Sequence, residues 1–278
     1  MKLCAHLGYQ FTEYQGLERL RQAAAAGFEA VEWPAIYGFS PEALAGCMAD
    51  AGLQWVQVTL PAGDAARGEK GIAALPGRQD DHRRGLDEAV RYAKALGSSL
   101  IHPMAGVGAP LSDPACMDAY LRNLELAVEM AQAEGMRVLI EVISEATVPG
   151  YALSTYELAA QVQKQLPDLL LLLDSYHAQA LTGDPAALAR QWAGRIGHVQ
   201  IADAPGRHEP GTGRIDFQAF FRALHAAGYD RWVGCEYKPM AHTLDGLPRL
   251  AALRPFLQAW PLHADCPIPD NSTKNGST

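Results

Sequence analysis

Between Val138 and Tyr237, four short apolar runs each end in a residue able to bind a metal. Val138-Leu139-Ile140 ends in Glu141, Leu170-Leu171-Leu172-Leu173 in Asp174, His198-Val199 in Gln200, and Trp232-Val233-Gly234-Cys235 in Glu236. The four polar positions are separated by 33, 26 and 36 residues, each gap long enough for one crossover helix and its loops. A parallel strand buried on both faces reads as a near-continuous apolar run. A carboxylate closing such a run needs a reason, because burying an unpaired charge is costly. Four in succession point to adjacent parallel strands delivering oxygen donors to one place, most simply to a divalent cation. The plain alternative is a set of capping or ion-paired carboxylates at strand ends; clustering four of them makes it the weaker reading.

The rest of the chain repeats the strand–helix alternation. Strands are expected at 3–7, 28–33, 53–60, 100–104, 138–142, 170–174, 196–202 and 232–237, with helices between them and a last helix at 244–260. Gly27, Gly52, Gly97, Gly135 and Gly228 stand where helices should stop, and Ser40-Pro41 and Asp113-Pro114 where two should start. Eight such units in 278 residues favour a single-domain α/β fold, a closed (β/α)8 TIM barrel, over an open doubly wound sheet. No Gly-x-Gly-x-x-Gly turn follows the first strand, which weakens a dinucleotide-binding reading. The barrel is expected to span residues 1–262. The polar, Pro/Asn/Ser/Thr-rich residues 263–278 are expected to form a flexible tail, and the formal sequon Asn271-Ser272-Thr273 within it carries little weight.

The net charge of −8 and the lack of a long basic run argue against a nucleic-acid partner. The five cysteines form no Cys-x-x-Cys pair and their number is odd, which favours reduced thiols and a cytoplasmic setting. Met1-Lys2 leads directly into the first strand, with no signal-peptide or membrane-spanning pattern. A homo-oligomer is compatible with the sequence, which does not fix the oligomeric state.

TIM-barrel active sites lie at the C-terminal ends of the strands, where all four candidate ligands fall. Two Glu, one Asp and one Gln form an all-oxygen donor set suited to Mg²⁺ or Mn²⁺ rather than Zn²⁺. Two carboxylates flanking a small anionic hydroxy-carbonyl substrate can act as base and acid, with the cation favouring an enediolate between them. Side-chain alternation turns Gly234 inward with Glu236 and turns Cys235 toward the helices, as a packed thiol and not a nucleophile. Further candidates for substrate contact are His177, Arg207 and His208, with Glu209 able to orient the last two, and Lys70 and Arg67 in the long loop at 61–79. The bland readings are a loop histidine bonded to backbone and solvated loop cations. His102 and His198 read as core histidines or partners of the ligands, and Glu32 as an ion-paired strand end.

Residues 199–213, Val-Gln-Ile-Ala-Asp-Ala-Pro-Gly-Arg-His-Glu-Pro-Gly-Thr-Gly, resemble the signature segment of the hydroxypyruvate isomerase family. So do Leu60-Pro-Ala-Gly-Asp64, Gly71-Ile-Ala-Ala-Leu-Pro-Gly-Arg78, Asp174-Ser-Tyr-His177 and residues 228–237. The match covers residues 1 to about 260 and places the chain among the xylose isomerase-like barrels, with sugar isomerases, epimerases and endonuclease IV. The resemblance implies reversible conversion of hydroxypyruvate to 2-hydroxy-3-oxopropanoate (tartronate semialdehyde). It implies Glu141 and Glu236 as the proton donor/acceptor pair and Glu141, Asp174, Gln200 and Glu236 as metal ligands. In related sugar epimerases a histidine and an arginine matching His177 and Arg207 contact substrate. Those epimerases carry His where this chain has Gln200, which favours the hydroxypyruvate-type branch. Arg214 stands where an acidic residue is expected and Ser175 where a cysteine is expected. Both leave open a 2-oxo-tetronate isomerase with the same chemistry on a four-carbon acid. A phosphodiester-cleaving relative of endonuclease IV lacks support in charge and ligand pattern. A metabolite-binding barrel without catalysis is disfavoured by the intact ligand set.

Overall fold

All strands run parallel, so their C-terminal ends share one rim of the barrel, which is what gathers the polar strand ends. A computed structural model describes residues 1–257 of the chain. Its strands are β1 (Lys2–His6), β2 (Ala30–Glu32), β3 (Gln54–Trp55), β4 (Val58–Thr59), β5 (Leu100–His102), β6 (Arg137–Glu141), β7 (Leu170–Asp174), β8 (Ile196–Gln200) and β9 (Trp232–Cys235). All pairings are parallel, in the order β3-β2-β1-β9-β8-β7-β6-β5-β4.

The expected third strand at 53–60 is therefore two short ones. Its first half pairs with β2 and its second with β5. The break falls at Val56-Gln57, where the Gln57 carbonyl accepts from the Trp55 indole N–H at 2.8 Å. The two ends of the nine-stranded sheet are thus halves of one segment, and the chain itself closes the barrel wall.

The helices are α1 (Glu18–Ala25), α2 (Pro41–Ala51), α3 (Gln79–Leu96), α4 (Pro114–Ala133), α5 (Tyr156–Gln165), α6 (Ser175–Thr182), α7 (Pro185–Gln191), α8 (Phe217–Ala226) and α9 (Thr243–Gly246). The Ser40 and Asp113 caps form as the sequence predicts, with Ser40 accepting from Ala43 N and Asp113 from Ala115 N. Two elements differ. The expected single helix at 244–260 is the short α9 followed by a 3-10 stretch, Leu247–Phe256, which carries Pro248 and Pro255; proline lacks the N–H that an α-helix interior needs. Residues 258–260, the tail expected at 263–278 and its sequon lie outside the described residues. The second difference is α6, which starts directly from β7 with no loop between them, because Asp174 both ends the strand and caps the helix.

The core has two shells. Inside the barrel, Leu100, Leu139, Leu170 and Leu172 form one apolar floor and Cys4, Ala30 and Val56 another. Between wall and helices lies the main core, which includes Val233 and Cys235. The register pairs Cys4 with Gly234 and Ala5 with Cys235, so Gly234 faces inward and Cys235 outward as alternation requires. Burial pushes the Cys235 thiol well up, as suits packing and not nucleophilic attack.

Candidate active site

Glu141, Gln200 and Glu236 line one cavity of about 280 Å³ at the C-terminal mouth of the barrel, together with Lys70, His177 and Arg207. Asp174 lies fully buried beside them: Glu141, Asp174 and His177 hold ligand atoms all within 4.8 Å of one another. The structure thus brings together the four predicted ligands and three of the five predicted substrate contacts. It does not bring His208 to the cavity wall; the His208 Nδ1 lies 2.8 Å from the Lys238 carbonyl oxygen.

Asp174 is held from two sides. Its Oδ1 accepts from Tyr176 N at 2.8 Å, the α6 cap, and its Oδ2 accepts from Arg207 Nη2 at 2.9 Å. Ser175 stitches β7 to β8: its hydroxyl donates to the Ala202 carbonyl at 2.9 Å and accepts from Ala202 N at 3.1 Å. His177 sits on the first turn of α6, not in a loop. Arginine can only donate, so the 3.1 Å contact from Arg207 Nη1 makes His177 Nε2 the acceptor. On the ring's other side, Nδ1 faces Ser144, 3.2 Å from its Oγ and 3.4 Å from its backbone N. Burial lowers His177 to about 4, which leaves the ring neutral.

Among the described residues, Arg207 is the one Lys or Arg side chain buried, and it lies among the acids. Its Nη2 also lies 2.7 Å from Glu236 Oε2, an ion-pair contact without hydrogen-bond alignment. The Tyr9 and Tyr176 rings flank its guanidinium at 5.4 and 5.1 Å. Burial works against its charge, but Glu236 and Asp174 outweigh that and hold it firmly protonated. Its backbone is in the left-handed region at φ +58, which disfavours a side chain, and Lys238 N donates to its carbonyl at 2.7 Å. The loop carrying it is wrapped on Asp203, whose carboxylate accepts from the backbone N–H groups of Ala204, Gly211, Gly213 and Ile215.

The two glutamates have few partners. Burial pushes the Glu141 carboxyl well above the carboxylate range, and Glu236 and Asp174 push it further. Burial raises Glu236 as well, against the opposing pull of Arg207 and His6. Each has a histidine within reach: His102 Nε2 is 3.8 Å from Glu141 Oε2 and His6 Nε2 is 3.5 Å from Glu236 Oε1. Burial lowers His102 to about 4, which leaves the ring neutral, and it lines the cavity as a neighbour of Glu141. His6 and Tyr9 were not among the sequence candidates, yet both line the cavity. His6 closes β1 as Glu236 follows β9, so the signal of an apolar run ending in a polar residue was present there too.

The residues fit a hard divalent cation. Gln200 donates its Nε2 to Glu32 Oε1 at 3.0 Å, and its Oε1 is buried with no partner. A partnerless buried amide oxygen beside three carboxylates is a donor set for an oxygen-seeking ion. Glu32 lies deeper, fully buried. Burial pushes its carboxyl up, but His198, His6 and Gln200 outweigh this and bring it to about 2. His198 Nε2 lies 2.8 Å from Glu32 Oε2, so this strand end is paired inside the barrel.

On the cavity's other side, the loop at 61–79 is fastened across β5. Gly71 bridges to Ala105, and Ala74 N donates to the Ala105 carbonyl at 2.7 Å. Within it Arg78 pairs with Glu69 at 2.7 Å, which leaves Lys70 on the cavity wall. Arg67 is spent on the outer surface near Glu69, at 3.8 Å.

Comparison with known proteins agrees with this architecture. The model of the family described as xylose isomerase-like TIM barrel matches residues 20–255. The hydroxypyruvate isomerase of Escherichia coli K12 is 38% identical over 250 residues, covering 89% of this chain and 97% of that protein. The 2-oxo-tetronate isomerase of Cupriavidus necator is 38% identical over 259 residues, covering 92% and 98%. A solved structure from Brucella melitensis described as an AP endonuclease, family 2, is 36% identical with a TM-score of 0.87, covering 92% of this chain and 99% of that one. The fold, the matched residues and these relatives agree that the chain belongs to the xylose isomerase-like TIM barrel family.

Proposed function

We propose that the protein is a hydroxypyruvate isomerase, interconverting hydroxypyruvate and 2-hydroxy-3-oxopropanoate. The observation that carries this reading is that Glu141 and Glu236, three strands apart on the barrel, meet at one small cavity with both carboxyls held above their ordinary range. A carboxyl raised toward neutrality is suited to take and return a proton. The relatives' names agree with it.

In this reading Lys70 and Arg207 receive the substrate's carboxylate. One glutamate removes a proton from the CH₂OH carbon, giving an enediolate. The other face of the pair, or the same carboxyl after a shift of the substrate, returns a proton to C2, while the hydroxyl proton passes from the C3 oxygen to the C2 oxygen. Leu172 and Tyr9 line the cavity and limit the access of bulk water to that exchange. Glu141, Asp174, Gln200 and Glu236 would hold Mg²⁺ or Mn²⁺, which when bound supplies positive charge that stabilises oxygen anions. The four cysteines among the described residues are all free and buried, which supports a reducing, cytoplasmic setting. No described helix is long and apolar enough to cross a membrane.

The four-carbon alternative, a 2-oxo-tetronate isomerase, has the Cupriavidus relative in its favour. A phosphodiesterase has against it the net charge of −8 and a cavity of about 280 Å³, sized for a metabolite and not for a duplex. The test is turnover of hydroxypyruvate and of a 2-oxo-tetronate by the purified protein, before and after chelation and with Mg²⁺ or Mn²⁺ restored. Hydroxypyruvate turnover that is lost on chelation is expected. Turnover of the four-carbon acid alone moves the substrate and keeps the chemistry. Turnover of neither, with metal bound and the fold intact, overturns the reading.

A further inference from the structure

A glutamine is an ambiguous ligand. Its amide presents oxygen on one side and two N–H donors on the other, and only the oxygen can face a cation. Something must fix which way Gln200 points. Glu32, at the end of β2, is fully buried in the barrel 168 residues away in sequence, and its Oε1 accepts from Gln200 Nε2 at 3.0 Å. Its Oε2 is committed to the His198 ring at 2.8 Å and to Gln57 Nε2 at 3.3 Å. A carboxylate so surrounded accepts only, so it selects the amide nitrogen of Gln200 and leaves Oε1 without a protein partner. The backbone makes room for this contact: a Cβ at position 234 would stand 2.0 Å from Glu32 Oε1 and 3.1 Å from Gln200 Cγ.

We propose that Glu32 is a positioning residue of the metal centre, holding the Gln200 amide so that its oxygen, not its nitrogen, is presented beside Glu141, Asp174 and Glu236. It touches neither the cation nor the substrate. Its effect is exerted through Gln200. Partners of this kind commonly carry about 10- to 100-fold of metal affinity.

The inference rests on the metal centre proposed above, and its test is separable from turnover. Mn²⁺ binding to the full chain is measured by titration calorimetry for wild type, Glu32→Gln, Gln200→Met and the double variant, with thermal unfolding of the metal-free proteins as the check on folding. Glutamine at 32 keeps the shape but can donate or accept, so the Gln200 amide is free to turn over. Glu32→Gln is expected to weaken Mn²⁺ binding about 10-fold or more in wild type, and less than about 2-fold in the Gln200→Met background, where no amide remains to be oriented. An equal loss in both backgrounds means that Glu32 acts by its charge or on the fold at large, and overturns the proposal. So does no loss in wild type. If Glu32→Gln fails to fold, Glu32→Asp replaces it in the same cycle: it keeps the charge and withdraws the acceptor by one methylene, with the same expectations. A wild-type protein that binds no Mn²⁺ overturns the metal centre and this role with it. Wild-type binding with an unaltered Glu32 variant overturns this role alone.

Discussion

Arg207 and Asp174 form a buried ion pair, Nη2 to Oδ2 at 2.9 Å, and the same nitrogen reaches Glu236 at 2.7 Å. The guanidinium therefore offsets the charge of two of the candidate metal ligands. Removing one partner of a buried pair leaves an uncompensated charge and costs about 3–5 kcal/mol. Arg207→Ala is expected to lower metal-free stability by about that amount, and by less when Mn²⁺ is bound, because the cation then balances the acids. Denaturant unfolding with and without Mn²⁺ decides it. A loss that is the same in both states would mean that Arg207 acts through packing on Tyr9 and Tyr176.

Glu141→Gln and Glu236→Gln are expected to lower kcat by about 10²- to 10⁴-fold, the usual share of general acid–base catalysis. Stability should move differently. A carboxyl whose folded pKa is raised stabilises the fold only while protonated and loses that contribution as pH rises through the folded pKa. At neutral pH both glutamates thus weigh against the metal-free fold, so neither glutamine variant should unfold earlier than wild type. Steady-state kinetics and a melting curve test the two halves separately.

Much of the candidate site was legible because each candidate ligand ends or directly follows a strand. Glu141, Asp174, Gln200 and Glu236 follow apolar runs, and a parallel barrel converts that local position into a shared rim. The pairs that tune them were not legible. His6 meets Glu236 only because β1 pairs with β9, the first strand with the last, and Glu32 meets Gln200 across the barrel's interior. No local pattern encodes either contact. α6 has no local sequence marker, because Asp174 serves at once as strand end and helix cap and leaves no loop residues between them. The split of the third strand at Gln57 was hidden for the opposite reason, since the apolar run continues through the break.

Cation binding should release protons. The metal-free Glu141 and Glu236 hold protons above the ordinary carboxylate range, and a cation must displace them. Apparent Mn²⁺ affinity is expected to rise with pH and to level off once both carboxyls ionise without metal. Calorimetry in buffers of different ionisation enthalpy measures the release directly. An affinity independent of pH from weakly acidic to neutral conditions would contradict the raised carboxyls.

His102 gives a stability signature of known sign. Burial holds it at about 4 in the folded protein, against about 6.5 in an unfolded chain. Its contribution is complete above pH about 6.5 and is lost as pH falls toward 4, where the unfolded state takes up the proton first. From pH about 6.5 to 5 that is a loss of about 2 kcal/mol. Wild type should therefore lose its stability advantage over His102→Gln across that window. A gap that stays constant would show that burial does not lower the ring's pKa in the fold.

The loop at 61–79 offers a variant that spares the carboxylates. Gly71 holds φ +91, and a Cβ there would lie 2.2 Å from the Met104 carbonyl oxygen, a backbone atom that cannot move aside cheaply. Gly71→Ala must strain the bridge to Ala105 or release it, at a cost of about 1–3 kcal/mol. Lys70 precedes this glycine and lines the cavity, whereas the four predicted ligands stand on other strands. Loosening the loop is expected to raise KM for the anionic substrate while kcat stays near wild type, because binding and not proton transfer depends on it. A variant with unchanged KM and a collapsed kcat would place this loop in the chemistry itself.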